Sequence, residues 1–456
     1  MANYRLVDID QFDSNLTTIA DAIRDKISYT KPLYFPNGFI SAINSIPTPT
    51  ESGYFMARIN GTLSEYSNSK ITTISDGAFY DCRQLEEVNI PLATNIGYAA
   101  FYRCWKLKSV RFPNVTTIDD YAFSSCRSLS SISFPVVTSI GAYAFLSCEM
   151  LTSVNLSTVT SIGSGAFEHC HSLNYVGFPK VSEIAPSAFN QCSNLTTVSF
   201  PSATTIGNYA FRSCSGLTFV SFPNVISIGH YAFDECYNLS LVSFPKVTSI
   251  NSGAFAGCSS LDSVNFSKVT SIYNYTFNGC SNLTSVNLPA VTYIDGGAFK
   301  DCISLTSISF SMITAIKYST FDGCTNLISI NFPKVTELGG TAFANCTSLT
   351  SVSFSKVTSV GYWAFSSCAN LRIASFPMAT TIGSSAFYDC FNLKSLYLMG
   401  SSICKLSNSN VFKSTPIGGY SSIAKTYGSI YVPASLLASY KTATNWTYFS
   451  SRFVGI

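Results

Sequence analysis

The chain has 456 residues, 46% of them hydrophobic and only 11% charged, with a net charge of +3. A surface so poor in Lys and Arg argues against a nucleic-acid partner, because phosphates need dense basic residues. No apolar run approaches the ~20 residues of a membrane span, so no membrane insertion is expected.

The first ten residues lack a basic segment followed by an apolar one, so no secretory signal is expected. If the protein acts outside a cell, something else exports it. Residues 15–27 place Leu16, Ile19, Ala20, Ile23 and Ile27 on one helical face. Pro32, a turn at 35–38 and a second short helix to Ile46 come after it. The Ala-Asp-Ala-Ile-Arg helix with its later Phe-Pro-x-Gly-Phe-x-x-Ala-Ile turn resembles a segment near the start of phage and prophage tail proteins. That resemblance implies attachment of residues 1–50 to virion or tail proteins, or self-association; a helical pair that merely shields the first coil of the periodic segment is the plainer alternative.

Residues 47–51 read as a linker. Two arms, 54–59 and 62–66, flank Asn60-Gly61, a pair suited to the positive φ angles of a type I′ turn. The expectation is a hairpin cap, 51–73, over the open end of the long periodic segment that begins at Ile74.

From Ile74 to about residue 400 the chain repeats every 22 residues. Fifteen of its sixteen cysteines keep this register without an insertion, from Cys82 to Cys390. A Phe stands three residues before each cysteine and a Leu three after. Val or Ile follows at six and Phe or Leu at eight, usually with Pro next, and a small aliphatic residue and an Ile lead into the next unit. Strict periodicity of this length predicts a solenoid. The three-residue spacing suits a short helical turn and the alternation Leu-x-Ser-Val-x-Phe a short strand. At about 4.8 Å per coil, fifteen coils would extend on the order of 70 Å. Each ladder cysteine, set between inward Phe and Leu, is expected to be a reduced, buried filler. One ligand per coil in a line does not make a metal site.

The run Ile-Gly-x-x-Ala-Phe-x-x-Cys-x-x-Leu-x-Ser-Val-x-Phe-Pro resembles the BspA-like class of leucine-rich repeats. The resemblance implies an α/β solenoid of 22-residue coils, capped at both ends. It further implies the company of bacterial cell-surface or secreted adhesins, and of similar arrays in phage tail and host-recognition proteins.

An enzyme needs unlike groups converging on one place, whereas this array repeats like groups along a line. His169 and His171 flank Cys170 and should face solvent while the thiol points inward. Asp119 with Asp120 and Glu86 with Glu87 fall in variable surface slots. No phosphate loop, metal motif or nucleophile elbow occurs, so no catalytic residue, metal or cofactor is assigned.

Binding is better supported. Positions five and seven after the cysteine should face outward from the strand and are mostly Ser or Asn; the exceptions are Arg111, Tyr175, Phe219, Leu241, Ile373 and Tyr397. Phe219 and Leu241 are one period apart and should be neighbours, with Tyr175 two coils away. Such a patch on a hydroxyl-rich sheet is a candidate contact site, although solitary exposed apolar residues are also common. A second set, Tyr121, Tyr143, Tyr209, Tyr231 and Tyr275, stands five before the cysteine, with Tyr98, Tyr102, Trp105, Tyr362 and Trp363 nearby. These rings suit either sugar stacking or simple stabilisation of stacked coils.

After Leu398 the register fails: Cys404 is off-period and Phe412 stands where the next cysteine is due. Residues 401–456 read as a second cap, with a strand at 429–432, a helix at 434–444 after Pro433, and Trp446 and Phe449 on the final coil. The whole predicts a non-enzymatic recognition rod whose partner is a host cell-surface glycan or protein. Residues 1–50 favour a phage or prophage tail component in a virion; a bacterial surface adhesin and a ligand-free structural spacer are the alternatives.

Overall fold

The computed structural model describes residues 62–419, 423 and 425–456. The helical segment at 1–50 and the first hairpin arm lie outside these residues. The second arm is present as the strand Glu65–Ser67, which pairs parallel with Glu87–Asn89 and so already belongs to the stack.

Residues 22 apart lie side by side throughout the repeat. Val176 pairs with Val154 on one side and Val198 on the other. From Cys82 to Cys390 every coil but that of Cys126, which lacks the first, contributes to two strand rows. The longer row spans positions five to seven after the cysteine, as in Ser153–Asn155, and its alternation puts Val154 inside and Ser153 and Asn155 outside. A second row, missed in the sequence, covers positions thirteen and fourteen, as in Ser161–Ile162. Short of this row, a threonine hydroxyl in many coils donates to the carbonyl of the residue one coil earlier, as Thr116 does to Thr94 and Thr138 to Thr116.

The expected helical turn is absent, and this corrects the α/β assignment. Both the fifth and the first residue before every ladder cysteine have positive φ, among them Tyr121 (58°) and Ser125 (63°) in one coil and Tyr231 (53°) and Glu235 (60°) in another. Two left-handed residues per coil interrupt any right-handed helix. Bonds from i to i+3 do occur, such as Cys82 N–H to the Phe79 carbonyl at 3.2 Å, but the intervening amides donate to the next coil, as Phe79 does to Ala100. The result is a chain of turns that brings every third side chain inward without forming a helix. Among the described residues the α-helix is Leu437–Thr442, near the end of the chain.

The core is a set of columns. Phenylalanine rings stack from Phe79 through Phe387 to Phe412, adjacent centroids lying between 5.0 Å (Phe79 to Phe101) and 5.8 Å (Phe255 to Phe277). The cysteines beside them are buried. They are more than filler: from Cys104 to Cys390 each thiol donates to the carbonyl of the Phe in the preceding coil, at 3.0 to 3.3 Å. Burial pushes the thiols from Cys126 to Cys390 up, to about 12 at Cys170 and Cys368.

Beyond Leu398 the register slips rather than fails. Lys405–Leu406 pairs with Thr381–Ile382, Phe387 N–H donates to the Val411 carbonyl, and Phe412 joins the phenylalanine column. Three residues on, Thr415 fills the cysteine slot: it is buried, and both its N–H and its hydroxyl donate to the Phe412 carbonyl. Ser429–Val432 extends the longer strand row against Ser395–Tyr397, and Phe453–Gly455 adds a last strand. Ala434–Leu436 is a 3-10 turn leading into the helix. Trp446 packs on Phe412 at 6.0 Å and donates its Nε1–H to the Cys404 carbonyl at 2.6 Å, and Phe449 meets the same Phe412 edge-on at 5.3 Å.

Candidate functional site

The two outward slots of the longer strand row make a face of Ser, Asn and Thr. On it Phe219–Ser221 and Leu241–Ser243 form a two-stranded sheet of their own, with Phe219 directly opposite Leu241. Both side chains stand clear of the core, 48% and 51% exposed. Val220, between them and the core, is buried.

The other four candidates do not join this pair. Tyr175 is half-buried and folds its hydroxyl over Gly177 on its own strand: a Cβ added at Gly177 would lie 2.5 Å from that oxygen. Tyr397 stacks on Tyr431 of the next strand at 4.5 Å and 10°. Arg111 is exposed at the end of its strand, beside Asn89. Ile373 is 45% exposed, between Ser351 and Ser395, six coils beyond Leu241.

The tyrosines five before the cysteine have covered faces. Tyr121 stacks on Tyr143 at 5.1 Å and Tyr209 on Tyr231 at 5.4 Å. Each run ends on a glycine in the following coil: the rings of Tyr143, Tyr231 and Tyr275 occupy the space that a Cβ would need at Gly165, Gly253 and Gly297. Tyr318 and Tyr362, one slot earlier, lean the other way onto Gly296 and Gly340. These rings are spent on coil-to-coil packing.

A charged cluster absent from the sequence expectations shares the coils of Phe219 and Leu241. Arg212 donates to Asp234 at 3.0 Å and approaches Glu235 at 3.6 Å, and the Ser213 hydroxyl donates to Glu235 at 2.7 Å. Burial raises the Asp234 carboxyl above its usual range, against the opposing pull of Arg212. Burial also raises Tyr237, helped by Glu235 and Asp234. The signal was available: slots two and one before the cysteine carry ionic residues in successive coils, Arg212 and then Asp234 with Glu235.

The histidines do not assemble with the thiol between them. Cys170 points inward to the Phe145 carbonyl at 3.2 Å, whereas His169 lies 4.0 Å from Glu168 and edge-on to His171. Among the described residues no group of His, Cys, Asp and Glu could hold a metal ion, and no helix is long and apolar enough to cross a membrane.

The BspA type leucine rich repeat region profile matches residues 53–174, 138–226, 204–327 and 292–418, which overlap to cover most of the chain. The chain belongs to the BspA-type leucine-rich repeat family. Among solved structures, a leucine-rich repeat protein from Bacteroides ovatus is 26% identical, with a TM-score of 0.59 over 75% of this chain and 91% of that one. A leucine rich cell surface protein from Faecalibacterium prausnitzii is 25% identical over 86% and 92% of the two chains, with a TM-score of 0.37. A leucine-rich repeat protein from T. pallidum is 32% identical over 34% of this chain and 78% of its own, with a TM-score of 0.33. A comparison with curated proteins returns no match. Leucine-rich repeat solenoids of this kind are typically non-enzymatic binding scaffolds.

Proposed function

We propose that this BspA-type protein is a surface adhesin that recognises a host-cell glycan or protein through the strand face around Phe219 and Leu241. The observation carrying this reading is that pair: two large apolar side chains, adjacent on paired strands and half-exposed, on a face built mostly of hydroxyls and amides. Desolvating such a pair at the centre of a contact supplies affinity, while the polar surround fixes orientation. Arg212, Asp234 and Glu235, on the same coils, add a charged flank. Residues 401–456 serve as the closing segment of the stack, with Trp446 and Phe449 covering Phe412.

A tail component of a phage virion is the second reading. It rests on residues 1–50 alone, which lie outside the described residues, and neither the family match nor the solved structures add to it.

The test is binding of fluorescently labelled full-length protein to a panel of bacterial and host cells, with and without periodate treatment of their glycans. Saturable binding lost in a Phe219→Ser/Leu241→Ser variant that keeps its circular dichroism supports the assignment, and periodate sensitivity marks the partner as a glycan. Undiminished binding by that variant would move the contact elsewhere. No binding by the folded parent protein would leave a structural spacer.

A further inference from the structure

Ten residues after each ladder cysteine the chain turns between its two strand rows. Lys180, Lys246, Lys268, Lys334 and Lys356 occupy this corner, and all five are exposed. No acidic residue stands in the slot in any coil. Among the described residues none of the five lysines joins an ion pair. On the turn side, by contrast, basic groups are matched: Arg83 with Asp81 at 2.8 Å, Arg127 with Glu149 at 3.3 Å, Arg212 with Asp234 at 3.0 Å, Lys300 with Asp322 at 2.7 Å. Glu183 and Glu337 follow Lys180 and Lys334 by three positions but face outward from the second strand row. Uncompensated positive charge is therefore gathered along one corner.

The lysines also share a direction. Lys246 Nζ donates to Asn224 Oδ1 at 2.7 Å and Lys334 Nζ to the Met312 sulfur at 3.3 Å. Each partner is the residue of the same slot one coil back, so these side chains run along the solenoid axis. The gaps between successive lysines are three coils, one, three and one, which at about 4.8 Å per coil spreads five charges over roughly 38 Å.

We propose that this corner binds a linear, sparsely charged polyanion, an acidic polysaccharide laid along the solenoid axis. Duplex DNA brings one charge per ~1.7 Å, roughly 22 over the same length, which five lysines do not match. A polymer charged on only some of its sugars does match. Thr158, Ser202 and Asn114 occupy the same slot and carry oxygens that can accept from sugar hydroxyls. The proposal is independent of Phe219 and Leu241.

The experiment is retention of the full chain on immobilised hyaluronate, a polysaccharide with one carboxylate for every two sugars, with immobilised neutral dextran as the blank. Lys→Gln at all five corner positions is compared with Lys→Gln at Lys106, Lys108, Lys317, Lys394 and Lys405, an equal loss of charge elsewhere; both variants are checked by circular dichroism. The expected result is salt-sensitive retention of the parent, at least tenfold weaker binding by the corner variant with a shallower salt dependence, and little change in the control. Equal losses in both variants would overturn the site, as would failure of the parent to bind. Tighter binding to a 20-base-pair duplex than to hyaluronate would overturn the choice of ligand.

Discussion

The turn side and the strand face of the solenoid both display large side chains on a surface poor in charge, and they do so for opposite reasons. On the turn side each tyrosine ring lies against something: another ring, as Tyr121 on Tyr143, or a bare glycine, as Tyr231 on Gly253. On the strand face Phe219 and Leu241 lie against each other's strand and open outward. Exposure alone does not separate a binding residue from a stabilising one; what covers the flat of the side chain does. Stability should therefore be concentrated on the turn side and recognition on the strand face, and substitutions can pull the two apart.

The largest effect should come from the thiol column of the turn side. Unfolded thiols titrate near 8.5, whereas burial holds Cys170 and Cys368 at about 12. Below the unfolded value both states keep their protons and stability is flat. Above it the unfolded chain releases protons that the folded chain retains, and each such thiol lowers stability by about 1.4 kcal/mol per pH unit. Most of the column is raised in the same direction, so circular dichroism should show a steep loss of structure above about pH 9. Retained structure at pH 11 with all thiols buried would refute the coupling.

Gly253→Val ranks second. It places a branched side chain at φ +66° in the space of the Tyr231 ring, and should destabilise by about 3 kcal/mol in denaturant titration. Removing the ring instead, Tyr231→Ser, should cost about 1 kcal/mol and leave cell binding unchanged. Smallest in stability is Phe219→Ser/Leu241→Ser, expected to shift unfolding by less than about 0.5 kcal/mol while abolishing binding. A Tyr231→Ser variant that folds normally but no longer binds would erase the distinction between the two sides.

Much of the fold was legible from the repeat itself. A residue type returning every 22 positions announces that it is inside: Phe, Cys and Leu proved buried in their columns, and the Val and Ile six after the cysteine buried or half-buried. The adjacency of Phe219 and Leu241 followed from the same period. The turn geometry was not legible, because a chain of i to i+3 turns brings every third residue inward as a helix would. Nor did the left-handed positions announce themselves: His169, Gln191 and Glu235 occupy one, held there by backbone N–H hydrogen bonds to carbonyls of the next coil. A fixed-period count also could not place the three-residue slip that puts Phe412 under Phe387 and Thr415 in the cysteine slot. For the site, Gly177 beside Tyr175 was a readable warning that the ring had somewhere to lie. The pairing of Tyr397 with Tyr431 was hidden behind an irregular loop.

The thiol-to-carbonyl link, finally, is the same at every step from Cys104 to Cys390: each thiol reaches back to the Phe carbonyl of the coil before it. A chain built this way can gain or lose a whole 22-residue unit while keeping the same link on both sides of the change. The reach of the molecule, and the number of positions on which new surface residues can be tried, are thus heritable variables that change in steps of one coil.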